Sequence, residues 1–333
     1  MIAALVSPAG ATVRHWVSDA VEDGREPSRP ALTSLPAPGV LLVDSIRGPW
    51  VVREDGSKRL LGAYRQSTWS PRGLFVAATG SHQLVALDPG GEVRWTLARS
   101  GSVRDPAWSP DGYRVAYLNA SALRVVAADG TGDRGLEPRV APVTPAWRPG
   151  PHHVVAFADA AGRVCAVDTD SGRSVFRTPP GLRPTRLAWS DDGARLLVVQ
   201  RSELRLLNRS GDLLWRRPSP PGVEFVIASL IPGADRVAAI AAVSDGPSRS
   251  ELMLLGPDAS PTLLFAGPGR FSDVVPSPDG EWLLLAWQSA DQWLFLDLAA
   301  PQRVVAVSGI SAQFDPGTTS PPSFPKIAGW CCP

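Results

Sequence analysis

One short motif recurs along this chain at nearly constant spacing, and it restricts the fold more than any other feature. Its clearest copy is Ala107-Trp108-Ser109-Pro110-Asp111-Gly112. Approximate copies contain Trp69, Trp147 and Trp189, so the four tryptophans stand 39, 39 and 42 residues apart. Two degenerate copies follow, Leu230-Ile231-Pro232-Gly233 and Pro276-Ser277-Pro278-Asp279-Gly280. A period of about 40 residues with strand-like segments between the copies is typical of β-propeller blades of four strands each.

Each copy has the composition of a corner between two antiparallel strands. Apolar residues lead to the tryptophan, Pro or Asp enters a tight turn, and Gly supplies the positive φ that closes the turn. Alternating apolar residues follow at once, as in Tyr113 to Leu118. We expect the tryptophans to pack between neighbouring blades, since one such ring buries about 150–250 Å². A ligand-stacking role for the whole set is the alternative. The predicted blade markers are Trp69, Trp108, Trp147, Trp189 and Trp330.

The two ends of the chain are predicted to share one blade. Three strands are expected between Val40 and Tyr64, but no tryptophan-marked strand precedes them. The segment Lys326 to Cys332 resembles the strand that leads to Trp189 and would supply the missing inner strand. Such closure removes unpaired strand edges. The sequence therefore predicts an all-β propeller of seven four-stranded blades, closed by pairing of the N- and C-terminal segments. Six blades is the alternative if one degenerate copy is misread.

Residues 1–38 are predicted to be an N-terminal extension, and residues 39–333 the propeller. The apolar run Met1 to Val6 and the small residues Ala9-Gly10-Ala11 suggest the remnant of a signal peptide or anchor whose true start lies upstream. A frayed cytoplasmic terminus is the alternative, and an extracytoplasmic location is slightly favoured. Thr12 to Asp23 has the spacing of a short amphipathic helix, and Glu26 to Pro38 is a linker rich in Pro and Ser.

Charge and cysteine content exclude several classes of protein. The net charge of the 333 residues is +1, which gives no general attraction to nucleic acid or to an anionic membrane. Only Lys58 and Lys326 of the 33 basic residues are lysines. The three cysteines form neither a disulfide framework nor a metal-binding spacing. A vicinal disulfide or thiol site at Cys331-Cys332 is one interpretation, and two ordinary small residues of a closing strand is the one we favour.

The Ala-Trp-Ser-Pro-Asp-Gly corner followed by an apolar strand resembles the TolB-type, WD-repeat-like β-propeller repeat. The resemblance covers about residues 39–333, and Trp108–Gly112 and Trp189–Gly193 are its nearest copies. Val85 to Trp95 and Ala166 to Gly172 are similar to outer strands of pyrroloquinoline-quinone-type propeller repeats, which also occur in binding proteins without cofactor. These motifs are structural corners, so the resemblance implies the fold and transfers no catalytic residue.

No catalytic constellation stands out. A Gly-x-Ser-x-Gly elbow is absent, as are Asp-rich calcium loops and Gly-rich phosphate loops. His152 and His153 could bind a metal together, but adjacent side chains on a strand point to opposite faces. Three aspartates recur in the corners and are expected to make turn hydrogen bonds: Asp111, Asp192 and Asp279. We predict no cofactor and no metal.

Polar residues from several blades should meet on one loop face, where the chain enters each inner strand. The partner-binding candidates are Arg104, Asp105, Arg183, Arg186, Asp273 and His82, with Asn119, Gln200 and Arg201 nearby. A solvated rim is the alternative for each residue. This pattern favours a non-catalytic, monomeric scaffold that binds a protein or peptide partner. The alternatives are a cofactor- or metal-dependent propeller enzyme, lactonase-like or quinone-dependent, and the sensor ectodomain of a membrane-anchored protein.

Overall fold

The computed structural model describes residues 31–257, 260–317 and 323–332. The predicted export remnant and the helix at Thr12 to Asp23 lie outside the described residues. Within them the chain forms seven four-stranded antiparallel sheets. Among the described residues, no helix has the length and apolar character needed to cross a bilayer.

Each sheet is one blade, numbered here in chain order from the blade that contains both ends. Blade 1 comprises β28 (Lys326–Cys331), β1 (Val40–Ser45), β2 (Gly48–Val52) and β3 (Lys58–Leu60). Blade 2 comprises β4 (Gln66–Trp69), β5 (Val76–Thr79), β6 (Gln83–Leu87) and β7 (Val93–Ala98). Blade 3 comprises β8 (Val103–Trp108), β9 (Arg114–Asn119), β10 (Ala122–Ala127) and β11 (Arg134–Glu137). Blade 4 comprises β12 (Ala146–Trp147), β13 (Val154–Ala158), β14 (Val164–Asp168) and β15 (Ser174–Arg177). Blade 5 comprises β16 (Arg186–Trp189), β17 (Arg195–Val199), β18 (Glu203–Asn208) and β19 (Leu213–Pro218). Blade 6 comprises β20 (Val223–Leu230), β21 (Val237–Val243), β22 (Arg249–Leu255) and β23 (Thr262–Pro268). Blade 7 comprises β24 (Phe271–Pro276), β25 (Trp282–Trp287), β26 (Gln292–Asp297) and β27 (Val304–Ser308).

The ring closes through the predicted pairing of the chain ends. Strand β28 pairs antiparallel with β1, so that Trp330 lies opposite Leu41 and Ile327 opposite Val43. The inner strand of every blade contacts the inner strands of both neighbours, and β28 lies between β24 and β4. The seven-bladed, end-paired propeller is therefore confirmed.

The hydrophobic core is divided among the seven seams between blades. Each seam holds its own cluster of buried apolar side chains, drawn from the two blades that meet there. The five marker tryptophans lie in five of these seams. The Trp108 ring stacks on Phe75 of blade 2 with centroids 6.3 Å apart, and Trp147 Nε1 donates to the Ala107 carbonyl of blade 3 at 2.9 Å. Each tryptophan thus joins its own blade to the preceding one.

Hydrogen bonds explain why the corner motif has its composition. In blade 3, Ser109 Oγ donates to Asp111 Oδ1 at 2.6 Å, and the same oxygen accepts the Tyr113 N–H at 2.9 Å. The Gly112 N–H bonds the Ser109 carbonyl, and Gly112 has φ +81°. Asp192 and Asp279 make the same bonds in blades 5 and 7. These aspartates are turn residues, as the sequence predicts.

Successive corners also contact one another, which the sequence does not reveal. A Cβ at Gly193 would stand 2.2 Å from the Pro149 carbonyl oxygen of blade 4, and one at Gly280 would stand 2.6 Å from that of Pro232. In blade 2, Gly73 instead meets Cys331 and Cys332 of the closing strand. These two cysteines are joined in a vicinal disulfide, contrary to the favoured expectation of two ordinary residues.

Residues before β1 and after β27 cover the outer side of the seam between blades 7 and 1. Leu32 and Leu35, from the predicted linker, are buried there. A short helix, α1 (Ile310–Phe314), adds Phe314, whose ring packs edge-on against Trp50 at 5.9 Å. A 3-10 turn occupies Gln288–Ala290. The division into an extension and a propeller at residue 38 stays a prediction.

Candidate functional site

The entrances of the inner strands surround one end of the central channel, which we call the mouth. Polar side chains from six of the seven blades line it and influence one another in an almost continuous series. The mouth residues are Asp44, Gln66, Ser67, Asp105, Thr144, Arg186, Asp273 and Lys326. The other end of the channel carries the Trp-Ser-Pro-Asp-Gly corners.

Blades 1 to 4 form a side of the mouth in which each carboxylate accepts two hydrogen bonds from side chains or backbone of other blades. Ser67 donates to Asp44 through its hydroxyl at 2.5 Å and through its backbone N–H at 3.1 Å. Gln66 and Thr144 both donate to Asp105 Oδ1, at 3.4 and 3.1 Å, and Gln66 Oε1 accepts the Asp105 N–H at 2.7 Å. Because these bonds cross between blades, this closed side fastens four blades together.

Asp105 owes its position to an irregular backbone. The pairing of β8 with β9 shifts register between Arg104 and Ala107, and Asp105 has φ +53°. A bulge of this kind re-aims a side chain, and a non-glycine residue in the left-handed region is strained. Two blades supply the hydrogen bonds that hold Asp105 in this conformation.

The opposite side of the mouth is less completely bonded. Asp273 of blade 7 is 2% exposed, its Oδ1 accepts the Val274 N–H at 3.1 Å, and the backbone of Ile327 also stabilises its charged form. Its Oδ2 has no hydrogen-bond partner among the described residues. Arg186 reaches from blade 5 to within 3.8 Å of Oδ1, and the charge of Lys326 of blade 1 also acts on this carboxyl. We call Arg186, Asp273 and Lys326 the open side.

Both buried carboxyls of the mouth favour the neutral form more than ordinary aspartates do. Burial raises the pKa of Asp44 to about 6, although the Ser67 hydrogen bonds and the charge of Lys326 oppose the rise. Burial likewise raises the pKa of Asp273 against the charges of Arg186 and Lys326. The mouth therefore holds at least one carboxyl, that of Asp44, that can change charge near pH 6.

The structure brings together only some of the residues singled out from the sequence. Asp105, Arg186 and Asp273 lie in the mouth, and Arg104 lies beside it with Nη1 3.7 Å from Asp105 Oδ2. Arg183 does not belong to the mouth, because it is exposed and its backbone bonds Gly162 of the neighbouring loop. His82 is also on the rim, where Nδ1 lies 3.2 Å from the Gly101 carbonyl.

Five mouth residues were not predicted from the sequence, although a signal for some of them existed: Asp44, Gln66, Ser67, Thr144 and Lys326. Four mouth residues stand three positions before the marker tryptophan of their blade: Gln66, Asp105, Thr144 and Arg186. Asp273 stands three positions before Pro276, which begins the degenerate copy of the motif in blade 7. Polar residues at this repeat position would have identified most of the mouth. Lys326 stands one position earlier, since β28 has a bulge in its pairing with β1.

A groove of about 720 Å³ opens on the same face between blades 5 and 6. Its walls are rich in serine and glycine, and they include Ser244, Gly246 and Ser248 of the loop between β21 and β22. Arg201 and Glu224 form an exposed ion pair at 3.1 Å along it. Blade 6 contributes no residue to the mouth series, so the groove lies next to the gap in that series.

The corner end also holds one polar cluster that joins two blades. His153 of blade 4 lies 2.6 Å from Asp111 Oδ2 through Nε2 and 2.6 Å from Asp170 Oδ2 through Nδ1. His152 is exposed, in the bend that precedes β13. No group of three or more potential metal ligands occurs among the residues that the structure describes.

Comparison with known proteins identifies the fold. No protein-family model matches the sequence, and no curated protein matches it. Among solved structures, the chain resembles the C-terminal WD40 domain of Sif2, with 14% identity over 81% of this chain and 82% of that one and a TM-score of 0.60. It resembles the Cps50 (Swd1) propeller of Myceliophteria thermophila with 16% identity over 81% of this chain and 90% of that one, and with a TM-score of 0.56. It also resembles hydrazine synthase of Kuenenia stuttgartiensis, with 14% identity over 76% of this chain and 79% of that one and a TM-score of 0.58. At these identities the likeness extends to the fold alone, and that fold is a WD-repeat-like seven-bladed propeller.

Proposed function

We propose that this protein is a non-catalytic scaffold that binds a protein or peptide partner across the mouth face. The observation that carries the proposal is the convergence of polar side chains, one from each of five inner strands, on a single opening. Loop positions held by a rigid ring are suited to recognition. The groove between blades 5 and 6 extends the same face outward and has room for an extended chain.

Two finer assignments accompany this proposal. The corner motif supports a TolB-type repeat within the wider WD-repeat-like group, and the apolar start of the sequence supports a role outside the cytoplasm. Fractionation of source cells with an antibody against the propeller tests the second assignment. Recovery of the protein only in the cytoplasmic fraction would contradict it.

The binding proposal is tested by affinity capture followed by calorimetry with the captured partner. Arg104→Ala and Arg186→Ala should weaken binding, because both remove a cation at or beside the mouth. Arg72→Ala, an exposed arginine in the corner of blade 2, is the matched control and should bind normally. Equal affinity of all four proteins for every captured partner would contradict the proposal. Stoichiometric metal or a quinone absorption band in the purified protein would instead support the enzyme alternative.

A further inference from the structure

The open side of the mouth places two cations on the solvent side of one buried acid. Lys326 is exposed, the Arg186 side chain is 36% exposed, and Asp273 beneath them is 2% exposed. A group that approaches from solvent therefore meets the guanidinium and the ammonium before it meets the carboxyl. This order of burial favours an anionic ligand and disfavours a cationic one.

The hydrogen-bonding capacity of these cations is unused within the described residues. Neither Arg186 nor Lys326 donates a hydrogen bond to a described residue, and the nearest carboxylate oxygen to Arg186, at 3.8 Å, is beyond hydrogen-bond distance. By contrast, Arg104 donates to the Ala120 carbonyl at 2.8 Å. A guanidinium offers five donors and an ammonium three, and a carboxylate accepts from both kinds of group.

We propose that Arg186 and Lys326 bind a carboxylate of the peptide partner, either an acidic side chain or the free C-terminus, at the open side of the mouth. This inference rests on the proposed function and adds the chemistry of the bound group. Asp273 is a positioning residue, since its buried carboxyl attracts both cations. The closed side, with its carboxylates already bonded, supplies the rigid wall of the site.

The first test uses three soluble peptides of one sequence. One is a Gly/Ser decapeptide with two central glutamates and an amidated end, the second has glutamines in place of the glutamates, and the third has the glutamines and a free C-terminal carboxylate. Fluorescence anisotropy at low salt should give at least about 10-fold tighter binding for one of the two acidic peptides than for the neutral one. The peptide that binds distinguishes a side chain from a C-terminus.

Variants locate the effect. Lys326→Gln and Arg186→Gln should each lower the affinity for the acidic peptide by about 10-fold or more and leave the affinity for the neutral peptide unchanged. Lys326→Arg should restore most of the affinity, since it keeps the charge. Arg72→Gln changes an exposed arginine at the other end of the channel, in the corner of blade 2, and it is the matched control. Melting curves verify that each variant is folded.

The scarcity of lysine supplies a second, independent measurement. Lys58 donates to Gln313 Oε1 at 2.6 Å on the outer side of the seam between blades 7 and 1, so it is an internal reference. Bound acidic peptide should slow acetylation of Lys326 by an amine-reactive ester several-fold and leave the rate at Lys58 unchanged.

Each outcome decides the inference. If neither acidic peptide binds more tightly than the neutral peptide up to millimolar concentration, or if Lys326→Gln and Arg186→Gln leave the preference intact, the carboxylate site is wrong. Such a failure leaves the proposed function standing as long as Arg104→Ala still weakens binding of the captured partner. Loss of all sensitivity to mouth variants, in both experiments, would remove both proposals.

Discussion

The two ends of the central channel are built from the same seven repeats, yet they use polar residues in opposite ways. At the corner end, Ser109 and Asp111 bond each other and the adjacent backbone, and blades 5 and 7 repeat the arrangement. At the mouth, Gln66, Thr144 and Arg186 reach to other blades, and no two blades do so alike. The repeated end defines the turn, and the unrepeated end is where a ligand preference can reside.

The carboxyls of the two ends also differ in charge preference. At Asp111, burial opposes ionisation, but hydrogen bonds from Ser109 and Tyr113 and the charge of His153 prevail and lower the pKa. The hydrogen bond from Ser190 chiefly lowers the pKa of Asp192 in the same way. Asp44 and Asp273 of the mouth have raised values. Corners therefore stabilise the ionised form of aspartate, whereas burial in the mouth favours the neutral form.

Removal of the closing strand should have the largest effect on this arrangement, because β28 contributes to both ends at once. A chain that stops at Pro322 loses Trp330 from the seam and Lys326 from the mouth, and it exposes the edge of β1. The loss should exceed the about 3–5 kcal/mol typical of one large core side chain. Thermal unfolding monitored by circular dichroism measures it.

Trp330→Ala is the partner experiment to the truncation. It removes the buried ring but leaves the strand, so it should cost less than the truncation. An unchanged melting temperature for the truncated chain would mean that the ring does not depend on its closure.

Contacts between corners should produce the next largest effect. Gly193 has φ +62° and faces the Pro149 carbonyl oxygen, whereas Gly172 has φ +70° and open space around the position of a Cβ. Alanine in the left-handed region costs about 1–2 kcal/mol at either site. At Gly193 the clash adds about 1–3 kcal/mol, since backbone must move. Urea unfolding of Gly193→Ala and Gly172→Ala compares them, and equal losses would show that adjacent corners do not pack tightly.

Protonation of the mouth should change stability by a smaller amount and in the opposite direction from the corners. The folded pKa of Asp44, about 6, exceeds the ordinary value of 3.8, so the folded state binds the proton more tightly. The free energy of unfolding should therefore fall as pH rises from about 4 to 6 and then level off, by at most about 3 kcal/mol from this group.

Asp44→Asn removes this contribution and leaves every other titrating group in place. The difference in unfolding free energy between wild type and Asp44→Asn, measured in urea at pH 4, 5, 6 and 7, should change across that window. Parallel pH profiles for the two proteins would contradict the raised pKa.

The contrast between the ends also explains what the sequence could predict. Corners are local, because Ser109 to Gly112 contains nearly all the hydrogen-bond partners of the turn, so spacing and composition suffice. The closing strand was predictable because Trp330 repeats the pattern of Trp189. Asp105, Arg186 and Asp273 were found since they lie at the entrances of inner strands.

The remaining features depend on contacts between distant parts of the chain. Asp44 joins the mouth from the end of a second strand, and Lys326 joins it through a bulge, so neither falls at the expected repeat position. Arg183 and His82 have suitable positions in the sequence, but their loops direct them to the rim. The contact of Gly193 with Pro149 requires knowledge of how neighbouring blades are rotated.

His153 is one of the polar residues of the corner end that reach a neighbouring blade, as Arg195 does toward Asp235, and it provides the finest test of the comparison. Its ring bridges Asp111 and Asp170, so one corner aspartate does reach the next blade. His153→Gln should cost about 1–2 kcal/mol, because charge-assisted bonds at a 19% exposed side chain are lost. His152→Gln, at the exposed neighbouring position, should stay within about 0.5 kcal/mol of wild type. A double-mutant cycle of His153→Gln with Asp111→Asn, followed by urea unfolding, isolates the coupling across the seam between blades 3 and 4. Additive losses would mean that His153 and Asp111 do not stabilise each other across this seam.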